Sequence, residues 1–313
     1  MTRVDVVIVN WNAGAMLRHC LDLLAQGDTS RLARVIVVDN GSTDGSADLA
    51  VPGLDLIVDK AGANLGFGPA CNRGAAQGEA GYILFLNPDV EVRGTTLTRT
   101  AEAMDAMQHT DTAVMGIRLT EESGGPQKHC ARFPRWYHFA AESTGLTHLL
   151  PSVFRPVRLV EFDHMQSRDV DHVIGAYYCI RREAFEAVGG FDEDYFVYFE
   201  DLDLSRRVAD AGWTTHMNAG IEAFHKGGGT SEQIKAMRLA LAIEGRLTYA
   251  RKHLTRLGYA AVWIAAFVFE PLTRILYAAL RGRMSEFGEV ARAYGILVNR
   301  PARRQVAAEK ALP

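Results

Sequence analysis

At 313 residues, with 48% hydrophobic and 23% charged residues, the chain has an ordinary globular make-up. It has room for one large α/β domain plus an appendage, or for two domains. The net charge of −3 hides an asymmetry: 12 Lys+Arg against 4 Asp+Glu from Arg246 onward, and 22 against 33 before it. An acidic body argues against a nucleic-acid binder, whereas a basic tail suits an anionic surface such as lipid headgroups. Cys20, Cys71, Cys130 and Cys179 are scattered, with no C-x-x-C. That argues against a zinc ribbon or redox motif and fits reduced thiols of the cytoplasm.

The chain opens with "MTRVDVVIVNWN", whose apolar run is too short for a signal peptide and reads as a first strand buried on both faces. Asn12 is placed to cap a helix starting near Gly14, with Met16, Leu17, Leu21 and Leu24 on one face. "RVIVVDN" reads as a second strand, "GSTDGSADLA" as a loop and short helix, and "LDLIVD" as a third strand. "NLGFGPACNRGAAQG" reads as a loop entering a small-residue helix, and "GYILFLNPDVEV" as a fourth strand. Strands alternating with helices predict βαβ units, right-handed crossovers and a doubly wound sheet. Ligands of such sheets sit beyond the carboxyl ends of the strands, which here carry Asn10, Asp39, Asp59, and Asn87 with Asp89.

Residues 117–170 are broken by Gly and Pro and read as loops and short helices, a lid over an acceptor. "DHVIGAYYCIRR" resembles another strand, "REAFEAVGGFDEDYF" a helix ended by Gly189 and Gly190, and "EDLDLSRRVADAGW" a helix. Residues 232–257 read as an amphipathic helix. From Tyr259 to Phe269 the chain is apolar for only eleven residues before Glu270, Pro271 and Arg274 intervene. A span needs about 20 apolar residues, so a helix pair in the membrane interface is the better reading, with a buried helix or dimer contact as the alternative.

Several clusters carry chemistry. Asp39 ends an apolar strand and can accept from a base N–H or a ribose hydroxyl, with Gly41 allowing close approach, while Ser42 and Asp44 suit a turn. "VVDNGSTDGS" fails the EF-hand spacing, and Gly66 and Gly68 lack the third glycine of a dinucleotide fingerprint. The loop at Asn64 is placed to pack on a nucleotide sugar. Asp89 and Glu91 point to one face of an extended chain, where one or two carboxylates plus substrate phosphates bind Mg2+ or Mn2+. Asp89 is the preferred ligand and Glu91 a bystander.

In "FVYFEDLDLSRR", Glu200 and Asp201 open a helix, where its dipole favours anions, and Phe196, Tyr198 and Phe199 offer apolar walls for a general base. Asp203 and Arg206 are spaced to pair. In "FHKGGGTS", His225 and Lys226 precede a glycine run and can reach metal or diphosphate.

Taken in order, "VVIVNWN", "VVDNGSTDGS", "NLGFGPACNRG", "FLNPDVEV", "GGFDEDYFVYFEDLDLSRRVADAGW" and "HKGGGTS" resemble a family-2 glycosyltransferase over roughly residues 4–231. "NPDVEV" with "FEDLDL" is most similar to the rhamnosyltransferase-like branch. The resemblance implies a GT-A fold, an α/β Rossmann-like, mostly parallel sheet flanked by helices, over residues 1–231. A helical, basic, membrane-associating C-terminal region follows over 232–313.

It also implies that Asn10 and Asp39 lie near base and ribose, with Asn64, Asn87 and Glu200 also at the substrates. Asp201 is then the catalytic base, and Asp89 and His225 hold Mg2+ or Mn2+. Asn87 stands where the family's D-x-D has its first acid, which leaves the metal fewer protein charges. The implied activity is inverting transfer of L-rhamnose from dTDP-rhamnose to a glycan or a polyprenyl-diphosphate-linked sugar, by a cytoplasmic enzyme on the inner face of the cell membrane. A UDP-hexose donor and a non-catalytic sugar-nucleotide-binding protein are the alternatives. A sugar nucleotidyltransferase lacks support, because "NWNAGAMLRHC" is not its glycine-rich Arg/Lys loop.

Overall fold

The β-branched run at the N-terminus forms β1 (Val4–Asn10), buried along nearly its whole length and therefore interior to its sheet. The computed structural model describes residues 1–227 and 235–299. Strands β2 (Leu32–Asp39), β3 (Leu56–Lys60) and β4 (Tyr82–Leu86) run parallel to β1, in the order β3-β2-β1-β4. Helix α1 (Ala15–Gln26) lays Leu17, Cys20, Leu21 and Leu24 on the sheet, and α2 (Phe67–Ala75) covers the other face with Ala70, Cys71 and Ala75.

Three local expectations are corrected. Asn12 does not cap α1. It sits in the left-handed region (φ 50°) and accepts from the Thr43 amide (2.8 Å), and Gly14 occupies the cap position. The stretch after Asp39 makes turns and no helix. The fourth strand ends at Leu86, and after a turn at 87–89 the short β5 (Val90–Glu91) joins the opposite edge of the sheet.

Helix α3 (Thr96–Ala106) leads to β6 (Thr112–Thr120). The region expected as loops and short helices holds the short helices α4 (Trp136–Ser143) and α5 (Leu146–Leu149), and in addition the short strands β7 (Cys130–Ala131) and β8 (Arg168–Val170). The next predicted strand is two, β9 (His172–Val173) and β10 (Tyr177–Arg181), separated at Ile174–Ala176. Helices α6 (Arg182–Ala187) and α7 (Glu200–Asp210) follow, and then the twelve-residue β11 (Thr214–His225), which sequence reading missed. The sheet continues β4-β10-β6-β11-β5, with β8 on β11. Because β10 is antiparallel to β4, and β6 and β11 run parallel to each other, the ends Asn10, Asp39, Leu86, Thr120 and His225 and the start of β10 share one edge. Asp89 joins them because β5 pairs with β11, setting Val90 opposite His225.

The C-terminal part comprises α8 (Lys235–His253), α9 (Arg256–Leu280) and α10 (Ser285–Val298). In place of a helix pair, α9 runs unbroken through Pro271. The five residues Ala265–Phe269 adopt a π-helical turn, which accommodates the missing amide hydrogen and the ring. Among the described residues, α9 is long and apolar enough to cross a membrane, by length and composition. Its Gly258, Val262, Ala265, Ala266 and Glu270 are buried, whereas Leu257, Trp263, Phe269, Leu272, Leu276 and Leu280 are exposed. Glu270 meets Arg246 of α8, Arg274 (2.8 Å) and Ser143 of α4 (3.2 Å). Thus the charge that interrupts the apolar run in sequence faces inward.

Candidate functional site

The residues expected at the site line one continuous rim. At its first end, Asn10 is fully buried and its amide donates to Asp39 Oδ1 (2.9 Å), Ser42 Oγ (3.1 Å) and Ser46 Oγ (2.9 Å). Asn10 therefore supports Asp39 and the following loop from beneath. Next to Asp39, Asn40 donates to Asn64 Oδ1 (2.9 Å) and the Gly66 carbonyl (3.1 Å) and accepts from the Leu65 amide (2.8 Å). Gly41 does allow close approach, but what it admits is the chain's own loop: a Cβ there would lie 3.1 Å from Ala63. Asp44 accepts from the Gly14 amide and from Ser46, in keeping with a turn role.

The loop at Asn64 then meets the start of α7. The Phe67 amide donates to the Phe196 carbonyl (2.8 Å), and a Cβ on Gly66 would sit 2.3 Å from that oxygen, so only glycine fits. Tyr198 and Phe199 are both left-handed (φ 71° and 72°), a strained pair immediately before Glu200. Helix α8 backs them: a Cβ on Gly245 would lie 2.5 Å from the Tyr198 carbonyl, and Phe199 packs with Phe139 and Tyr249. The aromatics thus lock the entry to α7, with Phe199 turned toward that cluster.

The carboxylates of α7 divide into three roles. Asp203 is fully buried and pairs with Arg207 (2.7 Å) and His253 (2.7 Å), while Arg206 pairs with Asp210 (2.9 Å). This replaces the expected Asp203–Arg206 pair. Glu200 is buried with Oε2 unpartnered among the described residues. Burial, then the neighbouring Asp201, push its pKa well above the usual carboxylate range, which favours the neutral form. Asp201 is more open: Oδ2 accepts from the Gly175 amide (2.7 Å) and Oδ1 from the Leu202 amide (2.8 Å). Behind it lies His172, its Nε2 3.7 Å from Asp201 Oδ2 and its Nδ1 2.9 Å from Ser205 Oγ, which in turn meets Tyr178 OH (3.0 Å). Burial holds the His172 pKa below its ordinary value, against the pull of Asp201 and Asp171.

The Gly175–Ala176 pair joins the two halves of the site. Gly175 holds Asp201, and the Ala176 carbonyl accepts from the Asn87 amide (3.0 Å), at the turn leading to Asp89. Asp89 Oδ1 lies 3.5 Å from His225 Nε2, both side chains being about nine-tenths buried, and the Lys226 amide donates to the Asp89 carbonyl (3.2 Å). The Lys226 side chain is exposed, and the rest of the glycine run, 228–231, lies outside the described residues. Glu91 is engaged by Arg93 and His19. One carboxylate oxygen and one imidazole nitrogen facing each other at the mouth of the sheet are a fitting donor set for Mg2+ or Mn2+, which complete their shell with substrate phosphates and water.

A second group of possible ligands, His129, Cys130 and His164, is buried behind the sheet. Both His164 nitrogens are committed: Nε2 accepts from the His129 and Cys130 amides (3.2 and 3.1 Å), and Nδ1 lies 2.9 Å from the Phe162 carbonyl. That group is a loop anchor.

Sequence reading brought out Asp39, Asn64, Asn87, Asp89, Asp201 and His225, and the fold gathers them on one rim. It missed Asn40, His172, Gly175 and Gln127. Asn40 adjoins Asp39 in a polar break, which was a usable signal. His172 and Gln127 act through partners tens of residues away and leave no local trace.

A family model described as "Glycosyl transferase family 2" matches residues 5–189, and one for "Glycosyl transferase family group 2" matches 139–281. The N-acetylglucosaminyl-diphospho-decaprenol L-rhamnosyltransferase of Mycobacterium tuberculosis is 31% identical over 242 residues, covering 71% of this chain and 75% of that protein. Rhamnosyltransferase WbbL of Escherichia coli is 26% identical over 144 residues, 46% of this chain and 52% of that one. Among solved structures, a mannosyltransferase from Pyrobaculum calidifontis in complex with GDP-Man and Mn2+ superposes with a TM-score of 0.55 at 16% identity, over 99% of this chain and 87% of that one. That likeness fixes the fold as GT-A.

Proposed function

Since the chain belongs to glycosyltransferase family 2 and is rhamnosyltransferase-like, we propose that it moves L-rhamnose from dTDP-rhamnose to a hydroxyl of a lipid-linked sugar, with inversion. The observation that carries this reading is the placement of Asp201. Its carboxylate is partly open, held by Gly175, and on the same rim as Asp39, Asp89 and His225. Beside it, burial and the Asp201 charge push the Glu200 pKa well up.

In this mechanism the acceptor hydroxyl donates a hydrogen bond to Asp201 and attacks the anomeric carbon in line. The new C–O bond forms as the bond to the diphosphate oxygen breaks, and Asp201 takes the proton. One displacement inverts the anomeric centre. Asp39 and the Asn40-braced loop at Asn64 receive the nucleoside and its sugar. Asp89 and His225 would hold the divalent cation, which would supply positive charge against the diphosphate. The experiment is a panel of dTDP-, UDP- and GDP-sugars with Mg2+ or Mn2+, read by release of nucleoside diphosphate on a polyprenyl-diphosphate sugar. Turnover only with a UDP-hexose would reassign the donor, and no release with any would favour a binding protein.

A lipid-linked acceptor lies at the bilayer, and the exposed apolar stripe of α9, flanked by Arg256, Arg281 and Arg283, suits the interface of an anionic membrane. The enzyme is then cytoplasmic and peripheral to the membrane. Replacing Leu272 and Leu276 together by Glu is expected to lower partitioning onto anionic liposomes by at least about tenfold. Flotation unchanged from the parent chain would refute membrane contact through this face.

A further inference from the structure

We propose that Gln127 is a positioning residue that fixes the tautomer of His225 and so prepares it to ligate the cation. This rests on the metal reading of Asp89 and His225. Gln127 follows a tight turn after β6, in which the Glu121 amide reaches the Gly125 carbonyl (3.1 Å) and Thr120 bridges Pro126. The Gln127 amide then donates to the Leu119 carbonyl (2.7 Å), which fastens the backbone against the strand beside β11. That geometry puts Gln127 Oε1 2.7 Å from His225 Nδ1, across 98 residues of sequence.

A side-chain carbonyl only accepts, so Nδ1 is the donor in this contact, and the neutral ring held this way keeps its lone pair on Nε2. Nε2 is left with its lone pair exposed, and it is Nε2 that faces Asp89 Oδ1, 3.5 Å away. A nitrogen lone pair and a carboxylate oxygen at that spacing can both be ligands of one cation. Had the proton sat on Nε2, His225 would be a hydrogen-bond donor to Asp89 and no ligand. Metal-ligating histidines commonly carry a partner of this kind on the distal nitrogen, and its loss weakens metal affinity by about 10–100-fold.

The test uses the full chain and Mn2+, with free Mn2+ followed by electron paramagnetic resonance, alone and with dTDP. Gln127→Leu, which is similar in size and has no acceptor, is expected to raise the Mn2+ Kd by about 10–100-fold. Gln127→Glu keeps an acceptor for the Nδ1 proton and is expected to hold or tighten the Kd. Melting temperatures show that both variants fold. An unchanged Kd in Gln127→Leu, with Asp89→Asn and His225→Gln both weakened, would reduce Gln127 to a packing role and overturn the inference. An unchanged Kd in Asp89→Asn and His225→Gln would instead remove the metal site itself, and the inference with it.

Discussion

Asp201→Asn is expected to lower kcat by about 10²–10⁴-fold, the usual contribution of a positioned general base, with dTDP binding expected to stay at the parent level. The amide has the size of the carboxylate and its one oxygen can still accept from the Gly175 amide, while the bond from the Leu202 amide is given up. The capacity to take the acceptor's proton is lost with it. Glu200→Gln is the paired control. Burial and the proximity of Asp201 favour the neutral form of Glu200, and the amide mimics that form, so kcat is expected to stay near the parent value. Single-turnover rates and isothermal titration with dTDP separate chemistry from binding. An active Asp201→Asn with an inactive Glu200→Gln would move the base to Glu200.

Glu270→Ala destabilises the fold by about 3–5 kcal/mol, because it leaves Arg246 buried without its counter-charge. The melting temperature then falls on the order of 10 °C. Burial opposes the Glu270 carboxylate, but Arg246 and Arg274 outweigh it and hold its pKa below the ordinary range. The charge is thus kept by its partners, which is why losing one partner is so damaging. Replacing the pair together, Arg246→Met with Glu270→Leu, is expected to restore most of the lost stability. Thermal melts of the three variants decide the matter: a Glu270→Ala melt equal to the parent's would show that the pair carries no weight. Deleting residues 258–313 to probe membrane contact carries the same defect, since it too orphans Arg246, so point substitutions on the outer face of α9 are the sounder probe.

What was readable in the sequence follows from how local each signal is. The parallel core was legible because β1 and β2 are apolar runs closed by Asn10 and Asp39, and α1 repeats Leu17, Leu21 and Leu24 at helical spacing. The position of Asp89, Asp201 and His225 at one edge of the sheet was legible because acids and a histidine follow strands or open a helix. Strand β11 was missed although its residues alternate between buried and less buried positions, as a half-buried strand should. Its polar faces hide that period behind Thr, His, Asn and Glu. The partner of Asp203 was misread because i,i+3 and i,i+4 arginines both adjoin it, Arg207 taking the place of Arg206, and because His253 arrives from a helix 50 residues on. The continuity of α9 was misread because a proline normally ends a helix, and a π turn that accommodates one has no sequence mark.

The crossing of Gly245 over Tyr198 bears on how this enzyme can be recombined. The C-terminal helices are braced against the hook that presents Asp201, and the fit tolerates no side chain at the crossing. A chimera that borrows α8 from a relative must borrow segment 196–199 with it. A library shuffled at the point between sheet and tail would yield proteins with Asp201 displaced unless both sides of that contact travel together.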